Sequence, residues 1–288
     1  MGKKILITGA NGQLGRALNQ ILKTNEYSDF TVINTNRGEA TAYCPISLDV
    51  SNPVAVMNLV QSMKPDIIIN CATMTAVDLC EKEEEMAYRI NAVGPKNLAI
   101  AANEMGAKLI HVSTDYVFDG ESETPYREED IPAPKSVYGM TKYQGEEFVK
   151  HHCVNYFIVR TAWLYGEGNN FVRTMLRLSE ERDEIRVVDD QYGSPTSAIE
   201  LAKAIIKLMI TEEYGIYHCT CEGAVTWYEF AKEIFRLKTK DVKVVPITTK
   251  EYPTPAKRPA YSVLDTTKIN NLGIYMKPWK EALTDYIG

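Results

Sequence analysis

Three observations on the 288-residue chain predict an α/β fold, a doubly wound parallel sheet with a smaller C-terminal lobe. Short apolar runs alternate with helical patterns over most of the length, which puts helices on both faces of a parallel sheet. The first run, Ile5-Leu6-Ile7, is continuously apolar, as a strand covered on both faces must be. It leads through Gly9, Gly12 and Gly15 into Leu14, Leu18, Ile21 and Leu22 at helical spacing.

A strand, a glycine turn and a helix bring backbone N–H groups and a helix N-terminus to one point, which suits a phosphate. The spacing G-x-x-G-x-x-G is a variant of the dinucleotide fingerprint, so the predicted sheet is Rossmann-like. The competing reading is a turn that uses its glycines for geometry alone.

The later elements follow in order. Phe30 to Thr35 reads as a second strand. Ser51 to Met63 reads as a helix capped by Ser51, with Pro53 in its first turn. Asp66 to Cys71 is a third strand, and Glu81 to Met105 a long helix broken or bent near Gly94-Pro95. Strands over Lys108 to Ser113 and Tyr156 to Trp163 flank a helix over Val137 to His151. Beyond about residue 166 come helical segments around Phe171 and Ala198, a short strand in EIRVVDD, and a proline-bearing tail of loops and short helices. This predicts a dinucleotide-binding domain over 1–166 and a mainly substrate-binding lobe over 167–288, with 215–220 returning to the main sheet.

Composition narrows the function. The chain is 45% hydrophobic and 24% charged with a net charge of −6, which suits a globular protein and argues against a nucleic-acid partner. No apolar run reaches membrane-spanning length and no signal peptide is recognised, so a cytoplasmic protein is expected. The six cysteines match no zinc framework and are expected to be reduced; no metal site is assigned.

Ligands of open α/β sheets bind beyond the carboxyl ends of the strands. Those ends carry the glycine turn, Asn34 to Arg37, Cys71-Ala72-Thr73, Ser113-Thr114-Asp115 and Thr161-Ala162-Trp163. Next in the chain, Tyr138 and Lys142 stand four apart on one helical face. A phenol titrates near about 10. A neighbouring ammonium lowers that value and makes Tyr138 a proton donor near neutrality. A second Tyr-x-x-x-Lys, Tyr228 to Lys232, opens a late amphipathic helix and reads as packing plus a solvated lysine.

The glycine turn, Asn70 to Ala72, Asn91, the Ser113-Thr114 pair and Tyr138-x-x-x-Lys142, in that order, resemble the extended short-chain dehydrogenase/reductase superfamily. STDYVFDG, RTAWLYG, NNFVRTMLRL, DQYGSPT, YPTPAKRPAYSVLD and PWKEAL resemble the dTDP-4-dehydrorhamnose reductase family within it, over nearly the whole chain. The resemblance implies reduction of the C4 keto group of a dTDP-4-keto-6-deoxy sugar. Thr114, Tyr138 and Lys142 would be catalytic, with Thr114, Asp115, Trp163 and Arg258 toward the substrate. Cofactor contacts would come from Gly9, Asn11, Gly12, Gln13, Leu14, Gly15, Arg37, Asp49, Val50, Cys71, Ala72, Thr73, Asn91, Tyr138 and Lys142. NADH-selective dinucleotide folds place an acidic residue near the end of the second strand. Here no acid occurs before Glu39, and Arg37 suits a 2′-phosphate, so NADPH is expected with NADH also accepted. Some family members use Mg2+ at a carboxylate-lined dimer contact. The first helix here offers Arg16 and Ala17 instead, so Mg2+ is not assigned, while a homodimer is compatible with the resemblance.

Three alternatives share the fold: a 4,6-dehydratase, a 4-epimerase and a non-catalytic regulatory subunit. The dehydratase pattern has an Asp-Glu pair after the threonine, whereas Asp115 is followed by Tyr116. The epimerases usually differ where this chain reads STDYVFDG, and Thr114, Tyr138 and Lys142 together argue against a non-enzyme.

Overall fold

A computed structural model of the chain describes residues 2–288. Along its first half run β1 (Lys4–Thr8), α1 (Gln13–Leu22), β2 (Thr31–Asn36), β3 (Ile46–Ser47), α2 (Pro53–Met63) and β4 (Ile67–Asn70). They are followed by α3 (Val77–Cys80), α4 (Glu84–Tyr88), α5 (Gly94–Met105), β5 (Lys108–Thr114), α6 (Val137–His152) and β6 (Tyr156–Thr161). Then come β7 (Leu164–Tyr165), α7 (Phe171–Glu181), β8 (Glu184–Val188), β9 (Tyr192–Gly193), β10 (Thr196–Ser197), α8 (Ala198–Met209) and β11 (Gly215–His218). The chain ends with β12 (Val225–Thr226), α9 (Trp227–Leu237), β13 (Lys243–Ile247), α10 (Thr267–Asn270) and α11 (Trp279–Ile287).

Seven strands form one sheet in the order β11-β6-β5-β4-β1-β2-β3, with every neighbouring pair parallel. Its order reverses at β1, so a crevice opens between the ends of β1 and β4, where such sheets take ligands. Alternate residues of each strand supply the two covering layers. Ile5, Ile7 and Ile69 pack with Leu18 of α1 and Leu201 and Ile205 of α8. Leu6 and Ile68 pack on the other face with Val56, Leu98 and Val149 from α2, α5 and α6. Beyond the main sheet, β8 pairs in parallel with β13, and α7 and α9 pack beside them.

Three local expectations are corrected. The α2 cap is Asn52, whose Oδ1 accepts from the N–H groups of Val54 and Ala55 at 3.1 Å. Ser51 turns back instead, donating from both N–H and Oγ to Asp49. The long helix from Glu81 is divided: α3 ends at Cys80, α4 starts at Glu84, and a wide π turn over Arg89–Val93 precedes α5. Pro95 then falls within the first two positions of α5, where its missing N–H costs nothing. In the tail, Val244 to Ile247 form part of a strand despite Pro246, because β13 is an edge strand and tolerates a residue without a donor.

Helix α6 lies unusually close to the loop that follows β5. A Cβ at Gly139 would overlap the Tyr116 carbonyl oxygen, so only glycine fits between the two backbones. Gly139→Ala is expected to lose about 1–3 kcal/mol of stability as the helix is levered away. Urea unfolding measures it, and an unchanged midpoint would mean that the helix is not held this tightly.

Candidate active site

The glycine turn is built for close approach. Gly9 has φ +63°, and a Cβ there would sit 2.7 Å from the Ala72 backbone nitrogen. Gly12 caps α1 with no side-chain hydrogen bond, and no acidic residue occupies the first turn. The uncapped amides and absent carboxylates leave this ten-residue helix start fit for a pyrophosphate. Asn11 is held by Cys44 Sγ (3.1 Å) and gives its carbonyl to Arg16 Nε (2.9 Å). Gln13 is half-buried and accepts from Asn170 Nδ2 at 3.3 Å; Leu14 and Gly15 are buried. Cys71, Ala72 and Thr73 lie half-buried after β4, and the Ala72 N–H reaches Asn70 Oδ1 at 3.2 Å.

At the end of β2, Arg37 is exposed and lines a cavity of about 300 Å³ with Asp49, Ser51 and Arg89. Burial pushes the Asp49 carboxyl up, but the Ser51 bonds and the Arg37 and Arg89 charges outweigh it and hold the group below its usual value. Arg89 donates to Ser51 Oγ at 3.3 Å; nothing in its local sequence singled it out. Val50 is buried and fixed by Asn97 Nδ2 on its carbonyl (3.0 Å). Asn91, in the π turn, is fully buried and joins two other segments, the loop after β4 through Thr73 Oγ1 (2.9 Å) and both backbone groups of Met74 (2.8 and 3.2 Å), and α6 through Thr141 Oγ1 (3.3 Å).

Thr114, Tyr138 and Lys142 converge where β5 ends. Thr114 Oγ1 donates to Asp115 Oδ1 at 2.8 Å and accepts the Tyr116 N–H at 3.3 Å. The Tyr138 ring stands edge-on to Tyr116, with centroids 5.4 Å apart. Burial pushes the Tyr138 phenol well above its usual value, and the Thr114 hydroxyl opposes this by hydrogen bonding to it. Lys142 is buried too, which pulls its ammonium down to about 8. Its Nζ donates to the Val112 carbonyl at 2.6 Å. The lowered phenol expected from helical spacing is therefore corrected for the chain alone: desolvation dominates, and the ammonium is occupied by a carbonyl.

Beside these groups opens a cleft of about 800 Å³, with Asp78, Tyr116 and Arg258 at one part of its wall and Phe171, Gln191 and Trp227 at another. Arg258 is held by Asp78 (2.7 Å) and by the Tyr116 hydroxyl (3.1 Å). Trp163, at φ +47°, stacks on Trp227 with centroids 3.4 Å apart. Asp78, Tyr116, Phe171 and Trp227 were missed from the sequence; the run Trp227-Tyr228 opening a helix was the available signal for the last. Tyr228 is half-buried against the core, and exposed Lys232 lies over its ring, so this second pair is apart from the site. Among the described residues no cluster of His, Cys, Asp or Glu could hold a metal, and no helix is long and apolar enough to cross a membrane.

Fold and site together define a class: a Rossmann-type oxidoreductase of the extended short-chain dehydrogenase/reductase kind. Residues 3–288 match the RmlD substrate binding domain family, and the chain belongs to that family. It is 44% identical to a dTDP-4-dehydrorhamnose reductase of Aggregatibacter actinomycetemcomitans, covering 97% of each protein. It is also 51% identical to a solved dTDP-4-dehydrorhamnose reductase from Clostridium acetobutylicum, with a TM-score of 0.92 over 99% of this chain and 98% of that one. A Bacillus anthracis structure in complex with NADP shares 44% identity and a TM-score of 0.91, over 99% of each chain.

Burial pushes the Asp115 carboxyl up to about 6, and its Oδ2 has no partner among the described residues. The folded state thus keeps its proton over a range where the unfolded chain, titrating near about 4, has lost it. Stability contributed by this group is lost as pH rises from about 4 to about 6. Asp115→Asn is expected to be more stable than the parent at pH 7 by up to about 3 kcal/mol, with the gain vanishing below pH about 4. Equal chemical-denaturation curves across that window would rule out a strained carboxylate.

Proposed function

We propose that this protein reduces the C4 keto group of a dTDP-4-keto-6-deoxy sugar with NADPH, giving dTDP-L-rhamnose, and that it does so in the cytoplasm. The observation that carries the reading is the meeting of Thr114, Tyr138 and Lys142 at the end of β5, next to Tyr116, whose ring packs on Tyr138 and lines the 800 Å³ cleft. Near full-length likeness to reductases of this substrate class supports it.

A bound nicotinamide dinucleotide supplies the hydride. The chain does the rest. The Gly9–Gly15 turn presents main-chain N–H groups to the pyrophosphate, and Arg37 with Arg89 offers two guanidinium groups at the cavity beside Asp49, suited to a 2′-phosphate. Lys142 holds ribose hydroxyls. Thr114 Oγ1 and Tyr138 bind the substrate carbonyl oxygen, and Tyr138, kept protonated by burial, gives its proton to that oxygen as C4 is reduced. Arg258, already oriented by Asp78 and Tyr116, faces the substrate pyrophosphate from the cleft wall. The lobe residues of 167–288, with Trp227 backing Trp163, close the substrate side. Tyr116 occupies the place where a dehydratase needs a glutamate, and its hydroxyl serves Arg258 instead. The six free cysteines agree with a reducing compartment.

The test is NADPH oxidation with dTDP-4-keto-6-deoxy sugars. Turnover should consume NADPH stoichiometrically, unlike an epimerase or dehydratase. Tyr138→Phe deletes one proton while the ring still packs, so kcat should fall about 100-fold or more. NADPH binding, followed by fluorescence, should survive. A variant that kept most of its kcat would remove Tyr138 from the reaction.

A further inference from the structure

Helix α6 carries a buried ion pair that the chemistry above does not use. Glu146 is 0% exposed and Arg160, from β6, 1%. Arg160 Nε donates to Glu146 Oε1 (2.9 Å) and Oε2 (3.2 Å), and Nη2 donates to Oε2 (2.7 Å). The remaining Nη1 points to His218 Nε2 at 3.4 Å, so the imidazole proton sits on Nδ1, facing the Tyr126 carbonyl at 3.0 Å. The guanidinium also lies over the Phe118 ring, 5.0 Å from its centroid. An ion pair this deep adds little stability over apolar packing, because both charges lose their water. Stability alone does not account for it.

Its position does. Glu146 follows Lys142 by four residues, so the two side chains are neighbours on one helical face. Lys142 is 2% exposed and has the Val112 carbonyl as its acceptor. The titratable groups coupled to it from neighbouring elements are Cys71 after β4 and His111 on β5, with Tyr138 one turn before it on α6 and Asp115 and Tyr116 following β5. Burial pushes the Cys71 thiol up to about 12 and holds His111 well below its usual value, so both are neutral at pH 7. Burial likewise keeps Tyr138 and Tyr116 as phenols, and Asp115 is engaged by Thr114.

We propose that Glu146 and Arg160 are positioning residues for Lys142: the pair pins the middle of α6 to β6, and its carboxylate is the counter-charge that keeps the lysine an ammonium. This rests on the reading that Lys142 binds the cofactor ribose. Burial draws the Lys142 ammonium down, and Glu146 is the strongest influence raising it. Without the carboxylate, the lysine would lose its proton closer to neutrality and could no longer grip a hydroxyl as a cation.

Cofactor-free protein labelled with 13C,15N-lysine tests this, with the Lys142 Cε–Nζ signal assigned by its loss in Lys142→Arg. In Glu146→Gln the Lys142 midpoint should fall by about one pH unit or more. Lysine deprotonation removes activity, so the alkaline limb of kcat/KM should move down with it. Because Glu146→Gln strands a buried guanidinium, Glu146→Gln/Arg160→Gln is measured as well. It removes both charges, keeps an amide contact, and should shift the same way. A Lys142 midpoint matching wild type in the folded variants overturns the proposal. A shifted midpoint with a fixed alkaline limb upholds the charge coupling and overturns the role given to Lys142.

Discussion

The site depends on how closely one helix can lie against one sheet edge. Tyr138 and Lys142 reach the end of β5 because α6 touches the Tyr116 backbone at Gly139 and is clamped to β6 by Glu146 and Arg160. Neither contact is an inexpensive way to gain stability. Desolvation takes back much of what the ion pair provides. Together they set distance and rotation at once, since the glycine contact limits how near the helix start comes and the ion pair limits how the next turns roll.

That seating explains why the polar groups of the site lie in a nearly dry layer. Thr114, Asp115, Tyr138 and Lys142 are all buried, and the last three ionise away from their usual ranges chiefly through the loss of water. The same layer continues below them through Asn70, His111 and Asn91. Asn70 takes the Thr8 hydroxyl at 2.7 Å and faces His111 Nδ1 at 3.0 Å, linking β1, β4 and β5 beneath the glycine turn. Asn91 does the equivalent work between the Thr73 loop and α6. The glycine turn and the Tyr138 end of the site are thus tied to one frame.

Much of this frame was legible in the chain. Buried parallel strands write themselves as apolar runs such as Ile67 to Ile69, and the glycine turn and Tyr138-x-x-x-Lys142 are local patterns whose spacing carries their geometry. What could not be read locally is what tertiary contacts decide. Ser51 and Asn52 are equally good caps, and Asp49 settles the choice by claiming Ser51. Pro246 reads as a break until β13 proves to be an edge. Arg89, Asp78 and Trp227 meet Asp49, Arg258 and Trp163 across large separations in sequence, and no spacing rule joins them. The expected tuning of Tyr138 by Lys142 is not seen in the chain alone for the same reason: helical spacing places the residues side by side, while burial dominates the phenol and the Val112 carbonyl occupies the ammonium.

A crystal structure of the protein with NADPH and dTDP bound measures the central claim most directly. The account predicts the cofactor pyrophosphate on the N–H groups that open α1, and Lys142 Nζ within about 3 Å of a ribose hydroxyl. It also predicts an α6 unmoved on its glycine and ion-pair contacts, with the dTDP pyrophosphate beside Arg258. A cofactor seated away from the glycine turn, or a Lys142 still bonded to Val112 with no contact to the ribose, would contradict it.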